Sequence, residues 1–312
     1  MKTHQTPQYL RIRRSKGFTL IELMVTLVIS LLVLMAGISF YMMSRSSYET
    51  INDNANLEER GNFALSVMMR LMRQTAYVPA LPNNGGMMWV SDAMIGGLDS
   101  CSNPNDSETL ACGAGTVINA SDAILIRYFG VGQQADVTLP DESVVDCSGQ
   151  GVAGPTGIDN AAAQRGLSIL FIGTGASGKP SLMCKYRERA ASGQESTTVF
   201  HTQELVPGVE NMQLLYGIST NGDDVPDKYA TASTMNSDDW LNVKTVKIAL
   251  VVRADSASAD AGTPATISLF GPLYNGDNGT YTPTVDIKSA RKLYYATIQI
   301  RNYQTCGDPS CS

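Results

Sequence analysis

Between Glu22 and Arg45 the chain runs for 22 residues without a charge, inside the apolar string 18–43, FTLIELMVTLVISLLVLMAGISFYMM. The hydrocarbon layer of a bilayer takes about 20 residues of α-helix, so this string is long enough to span one. Ahead of it, residues 1–17 hold Lys2, Arg11, Arg13, Arg14 and Lys16 and no acid. Basic residues before an apolar helix stay on the cytoplasmic side, which puts everything after Arg45 across the membrane, in a bacterium the periplasm. The whole chain has a formal charge of −6; with +5 in its first 17 residues, the other 295 carry −11. That balance speaks against a nucleic-acid partner, whose phosphates need a basic face.

The cysteines suit that compartment. Cys101, Cys112, Cys147, Cys184, Cys306 and Cys311 are even in number and show no C-x-x-C spacing, which points to disulfides and away from zinc. Six cysteines allow 15 pairings, so the connectivity stays open. Cys101 with Cys112 and Cys306 with Cys311 are close enough in sequence for local loops, and the terminal pair is the leading candidate.

Glu22 is the odd residue of the apolar string, because a carboxylate near the bilayer centre costs about 2.5 to 3.5 kcal/mol by insertion scales. It reads as an interfacial acid at the favourable N-terminus of an ordinary anchor helix, or as a group awaiting a partner. A cleavable secretory signal ending near Leu34-Met35-Ala36 is weakened by Glu22 inside its apolar region and by Leu34 at a normally small position.

The string Lys16-Gly17-Phe18-Thr19-Leu20-Ile21-Glu22-Leu23-Met24-Val25 closely resembles the processing site of type IV prepilins and type II secretion pseudopilins. The resemblance implies that a prepilin peptidase cuts after Gly17, that the new amine on Phe18 is methylated, and that Glu22 is the assembly glutamate. Cleavage leaves a largely cationic α-amine able to meet the Glu22 carboxylate of its own or a neighbouring subunit in a low-dielectric layer. Major pilins commonly carry a proline where this chain has Ser39, and the 295-residue mature chain is well above major-subunit size. Both departures favour a minor pilin with a specialised head.

Behind the apolar string, residues 44–77 keep a helical pattern that Pro79 stops. Leu57, Ala64, Met68, Leu71 and Thr75 fall on one stripe, while Glu58, Glu59, Arg60, Arg70 and Arg73 lie elsewhere, so this half is amphipathic. Met68, Met69 and Met72 read as core packing. Residues 78–163 shift to Gly, Asn, Asp and Ser with three cysteines and one clear strand at 123–129, an irregular disulfide-tied insertion. Strands follow at 167–172, 181–186, 197–204, 210–216, 243–253 and 293–301, and within them Val246, Ile248, Leu250 and Val252, then Tyr294, Ala296, Ile298 and Ile300, alternate as half-buried faces do. The expected fold is therefore α+β: a long N-terminal helix, half membrane-spanning and half amphipathic, packed on an antiparallel β-sheet head made by residues 164–312.

Within that head, Gly208-Val209-Glu210-Asn211-Met212-Gln213-Leu214-Leu215-Tyr216-Gly217, then Asn221-Gly222-Asp223-Asp224-Val225-Pro226-Asp227-Lys228-Tyr229, then residues 240–252 look like the C-terminal region of the PilW family of type IV pilus assembly proteins. The resemblance implies a pilin-like fold and a minor pilin that helps to start the pilus in a tip complex with other minor pilins and the major pilin. A tip adhesin is a possible further partner. The chain would sit in the inner membrane before assembly and on the cell surface in the pilus afterwards. A pseudopilin of a type II secretion system is the nearest alternative, and a membrane-anchored periplasmic enzyme is the alternative of another class.

Little in the sequence supports an enzyme. His4 and His201 are the only histidines, and His201 lies in a strand beside Thr202 and Glu204, the setting of an ordinary hydrogen-bonded residue. No G-x-S-x-G elbow is present. Residues 173–180, GTGASGKP, are too short for a phosphate loop and carry Pro180 where a Ser or Thr is required, so a hairpin turn is expected. The acidic loop 221–227 loosely resembles a calcium loop but consists of ordinary turn formers, and a solvated turn is the preferred reading. Lys185, Arg187 and Arg189 form a local basic cluster beside Glu188. No cofactor or metal is implied.

Overall fold

The structure, a computed structural model, describes residues 17–79, 93–156, 164–190, 194–257, 265–274 and 276–302. It divides into two compact units, Met1–Ile51 and Asn52–Ser312. Helix α1, Leu20–Gln74, begins in the first and ends in the second. The absence of proline and the richness in Leu and Met favour its length. It stops where Ala76 turns left-handed at φ 59°, with the Ala76 N–H donating to the Arg127 carbonyl at 3.0 Å.

In the second unit α1 buries Leu57, Gly61, Ala64, Met68, Leu71 and Met72. The expected stripe is present, with Gly61 added to it for a steric reason. A Cβ at Gly61 would come within 2.2 Å of the Tyr294 ring, and this close approach lets the Tyr294 hydroxyl donate to the Leu57 carbonyl at 2.7 Å.

The head contains two principal antiparallel sheets where the sequence suggested one. Strands β1 Ile95–Leu98, β2 Ala123–Tyr128, β3 Gly166–Thr174, β4 Pro180–Arg189 and β5 Glu195–Pro207 form a five-stranded sheet in chain order. Strands β6 Val209–Ile218, β7 Lys228–Ala230, β8 Val243–Ala257 and β11 Ser289–Gln299 form a four-stranded sheet in the order β11-β8-β6-β7. A small ribbon, β9 Ile267–Ser268 with β10 Thr280–Tyr281, lies against Ala249 and Val251 through Leu269 and Tyr281. One core joins Met68, Leu71 and Met72 of α1 to Ile124, Ile126 and Leu170 of the first sheet and to Leu214, Ile248, Leu250 and Ile298 of the second. The region 78–163, expected as an irregular insertion, supplies β1 and β2 and is thus built into the head sheet. β1 escaped the sequence reading because IGGL is short and half glycine.

Asp122 holds the two sheets together. Its N–H donates to the Met212 carbonyl at 2.9 Å, and its carboxylate accepts from Leu214 N at 2.8 Å and Ser100 N at 3.3 Å. Burial, reinforced by the nearby charge of Asp99, pushes its pKa up to about 8. The folded form therefore holds a proton that the unfolded chain releases near pH 4, so stability declines between about pH 4 and pH 8. Asp122→Asn keeps an acceptor for Leu214 and removes the titration. Its melting temperature should change less than the wild type's across that interval, and an unchanged slope in calorimetry would contradict this account.

Candidate assembly site

In the first unit the helix is apolar and open. Phe18, Leu20, Ile21, Leu23, Met24 and the apolar residues after them as far as Met43 are all exposed, and the segment is long and apolar enough to cross a membrane. Gly17 and Phe18 precede it in non-helical backbone.

Thr19 and Glu22 form a reciprocal cap at its start. The Glu22 Oε2 accepts from Thr19 N at 3.0 Å and Thr19 Oγ1 at 2.9 Å, while Glu22 N donates back to Thr19 Oγ1 at 3.3 Å. This is the S/T-x-x-E capping box, which satisfies otherwise orphaned N–H groups at a helix start. Both bonds to the carboxylate fall on Oε2, so Oε1 has no hydrogen-bond partner among the described residues. The sequence reading considered Glu22 only as an interfacial or paired acid; the Thr19-to-Glu22 spacing was the signal for the cap.

Cys101 joins Cys112 with Cα atoms 5.7 Å apart, and Cys147 joins Cys184 at 5.9 Å. Cys306 and Cys311 lie outside the described residues. The first bridge closes a loop that carries Asp106 and Glu108 to β4. There Glu108 pairs with both Arg165 and Arg187, and Asp106 lies 2.6 Å from Lys185. Burial pushes the Glu108 carboxyl up, but the Arg165, Arg187 and Arg127 guanidinium groups outweigh it and hold it below the usual carboxylate range. The second bridge fastens residue 147 to the middle of β4, where both sulfur atoms sit in the main core.

This corrects the reading of Lys185, Arg187 and Arg189 as a local cluster beside Glu188. Alternation along β4 turns those three to one side, where Arg187 is fully buried and Arg189 pairs with the buried Glu195. Glu188 faces the other way and lies 3.6 Å from His201, which is half exposed.

The remaining motifs are turns. Residues 173–180 close the β3–β4 hairpin, with Gly175 N–H donating to the Lys179 carbonyl at 2.9 Å and Gly178 at φ +76°. In the acidic loop, Asp227 Oδ2 accepts from Thr220 N at 2.7 Å, Asp223 Oδ1 from Val225 N at 2.9 Å, and Asn221 Oδ1 from Asp223 N at 3.1 Å. The Asp223 and Asp227 carboxylates and the Asn221 amide oxygen thus bind the backbone around their own loop. Among the described residues no group of three or more His, Cys, Asp or Glu is arranged to hold a metal.

Residues 12–38 match the prokaryotic N-terminal methylation motif, and residues 169–302, from β3 to the end of the described chain, match type IV pilus-assembly protein W. No match was found among curated proteins. A solved type IV-like pilin, TTHA1219 from Thermus thermophilus, aligns over 79% of this chain and 97% of its own, at 9% identity and a TM-score of 0.38. One match lies on the exposed apolar helix and the other, residues 169–302, on the β-rich head, and together they support a minor pilin of the type IV pilus.

Proposed function

We propose that this minor pilin starts pilus assembly and sits with other minor pilins at the pilus tip, as a structural subunit that catalyses no reaction. The observation that carries the reading is an open apolar helix whose one acid, Glu22, is held at its start with a free carboxylate oxygen. Residues 1–17 act as a leader that prepilin peptidase removes, and the amine of Phe18 is then methylated. Residues 18–43 hold the chain in the inner membrane with its head in the periplasm, and later lie among the apolar helices of neighbouring subunits. Glu22 Oε1 then accepts from the Phe18 amine of a neighbour, which offsets the cost of a carboxylate in that layer.

Sequencing the mature N-terminus should give methylated Phe18; a start at Gly37, or an intact Met1 in purified pili, overturns the processing step. Glu22→Ala should still insert into the membrane but be recovered in sheared pili at about a tenth of the wild-type level or less, as a charge-assisted bond of about 1.5 to 3 kcal/mol requires. Glu22→Gln separates charge from size. A deletion strain distinguishes the pilus from a secretion pseudopilus: surface pili should be lost while type II secretion continues, and the reverse result favours the pseudopilus.

A further inference from the structure

The two disulfides differ in what a thiol can reach. Cys147 and Cys184 are both buried in the main core, whereas Cys101 is fully buried and its partner Cys112 is exposed. Exchange begins when a thiolate attacks one sulfur of a bridge, so its rate depends on access to that sulfur. Of the four cysteines in these two bridges, Cys112 is the one open to solvent.

The Cys101–Cys112 bridge closes a loop whose hold on the head is mostly polar. Glu108 pairs with Arg165 and Arg187, Arg127 donates to the Glu108 carbonyl, and Lys185 meets both Asp106 and the Pro104 carbonyl. Leu110 packs, partly buried, against the cluster of Cys101, Leu125 and Leu167, while Asn103, Asp106, Thr109 and Ala111 are exposed. Polar contacts of this kind replace bonds to water and gain little net free energy, so the loop stays down only where ordering it costs little. The bridge lowers that cost by closing the loop in advance. Beneath the loop the Arg187 side chain is fully buried. Returning it and Glu108 to water recovers the desolvation cost of both charges, which favours opening once the bridge is broken.

The loop also encloses space. Glu108, Thr109 and Leu110 line one part of a cavity of about 540 Å³ whose lining also includes Leu125, Arg165 and Trp240. Lifting the loop removes that wall and uncovers the Arg187 face of β4.

We infer that the Cys101–Cys112 bridge is a thiol-sensitive latch. Closed, it seats Glu108 on Arg165 and Arg187; opened by a protein dithiol, it releases the loop while the Cys147–Cys184 bridge keeps the head folded. A thiolate of the dithiol attacks Cys112 Sγ, the bond to Cys101 breaks, and Cys101 leaves as a thiolate that takes up a proton. The second thiolate of the dithiol then attacks the mixed disulfide, which forms the dithiol's own bridge and frees Cys112. Two electrons pass from the dithiol to the latch, and its two protons end on Cys101 and Cys112.

The test titrates the purified full-length protein, oxidised and in detergent at neutral pH, with dithiothreitol, and maps free thiols by alkylation and mass spectrometry. Cys101 and Cys112 should be alkylated at a dithiothreitol concentration at least tenfold below that needed for Cys147 and Cys184. Phenylglyoxal, which modifies accessible guanidinium groups, should then label Arg187 at least tenfold faster than in the oxidised protein. Arg253, buried in the second sheet against Asp286 and Glu210, should stay as slow as before. Oxidised glutathione should restore both the bridge and the slow Arg187 rate. Equal sensitivity of the two bridges overturns the latch, as does an Arg187 rate unchanged with the bridge open. Labelling of Arg253 in step with Arg187 means that the whole head unfolds, and overturns it equally. The Cys101→Ser/Cys112→Ser variant separates reduction from loop release. Without dithiothreitol it should label Arg187 as fast as the reduced wild type does; a rate as slow as the oxidised protein's, or a variant that does not fold, refutes the latch.

Discussion

Replacing Glu108 by alanine should lower the melting temperature of the oxidised protein by about 10 °C. Glu108 faces Arg165 and Arg187, whose side chains are 3% and 0% exposed, and pairs with both. Removing one partner of a buried ion pair typically costs about 3 to 5 kcal/mol, because the remaining charge stays desolvated without compensation. In a domain of this size each kcal/mol shifts the midpoint by roughly 2 to 4 °C. Glu108→Gln keeps hydrogen-bond acceptance and loses the charge, so it should fall between wild type and alanine. The depressed carboxyl also sets a pH dependence: its contribution is present above the unfolded carboxylate pKa and is lost as the pH falls through the lower folded value. A Glu108→Ala midpoint within 2 °C of wild type in calorimetry would show that the arginines find other compensation.

Breaking the Cys147–Cys184 bridge should destabilise the head by about 4 kcal/mol. The bond closes a loop of sequence separation 37, and chain entropy assigns about 3 kcal/mol to a 15-residue loop, rising slowly with length. Cys147→Ala, Cys184→Ala and the double variant should unfold at nearly the same denaturant concentration, because the two residues act as one bond. The Cys101–Cys112 bridge, with separation 11, should contribute less by entropy alone. It also holds the loop bearing Glu108, so its removal and Glu108→Ala should be markedly non-additive in a double-mutant cycle. Additive losses would separate the loop closure from the ion pair. In both experiments the oxidised wild type is the reference.

Much of this protein could be read from local pattern. The apolar string, the amphipathic stripe through Met68 and Leu71, and the alternation in β8 and β11 are patterns of a few residues, and each corresponds to an element or a buried face of the structure. Three cations at every second residue of a strand share one face, and an internal acid such as Glu108 can hold that face only if a loop brings it there. Nothing local marks Glu108 as that acid, since its partners lie 57 and 79 residues away.

The chain's periodicity and charge order alone determined that a long apolar helix with Glu22 near its start leads and that a β-rich head follows. Tertiary structure alone decided the division of the strands into two sheets, the Asp122 tie between them and the cysteine partners within the described residues. The reason is range. Helical and strand periodicity report on neighbours three, four or two positions apart, whereas sheet order and disulfide choice depend on which segments meet after the chain between them has closed.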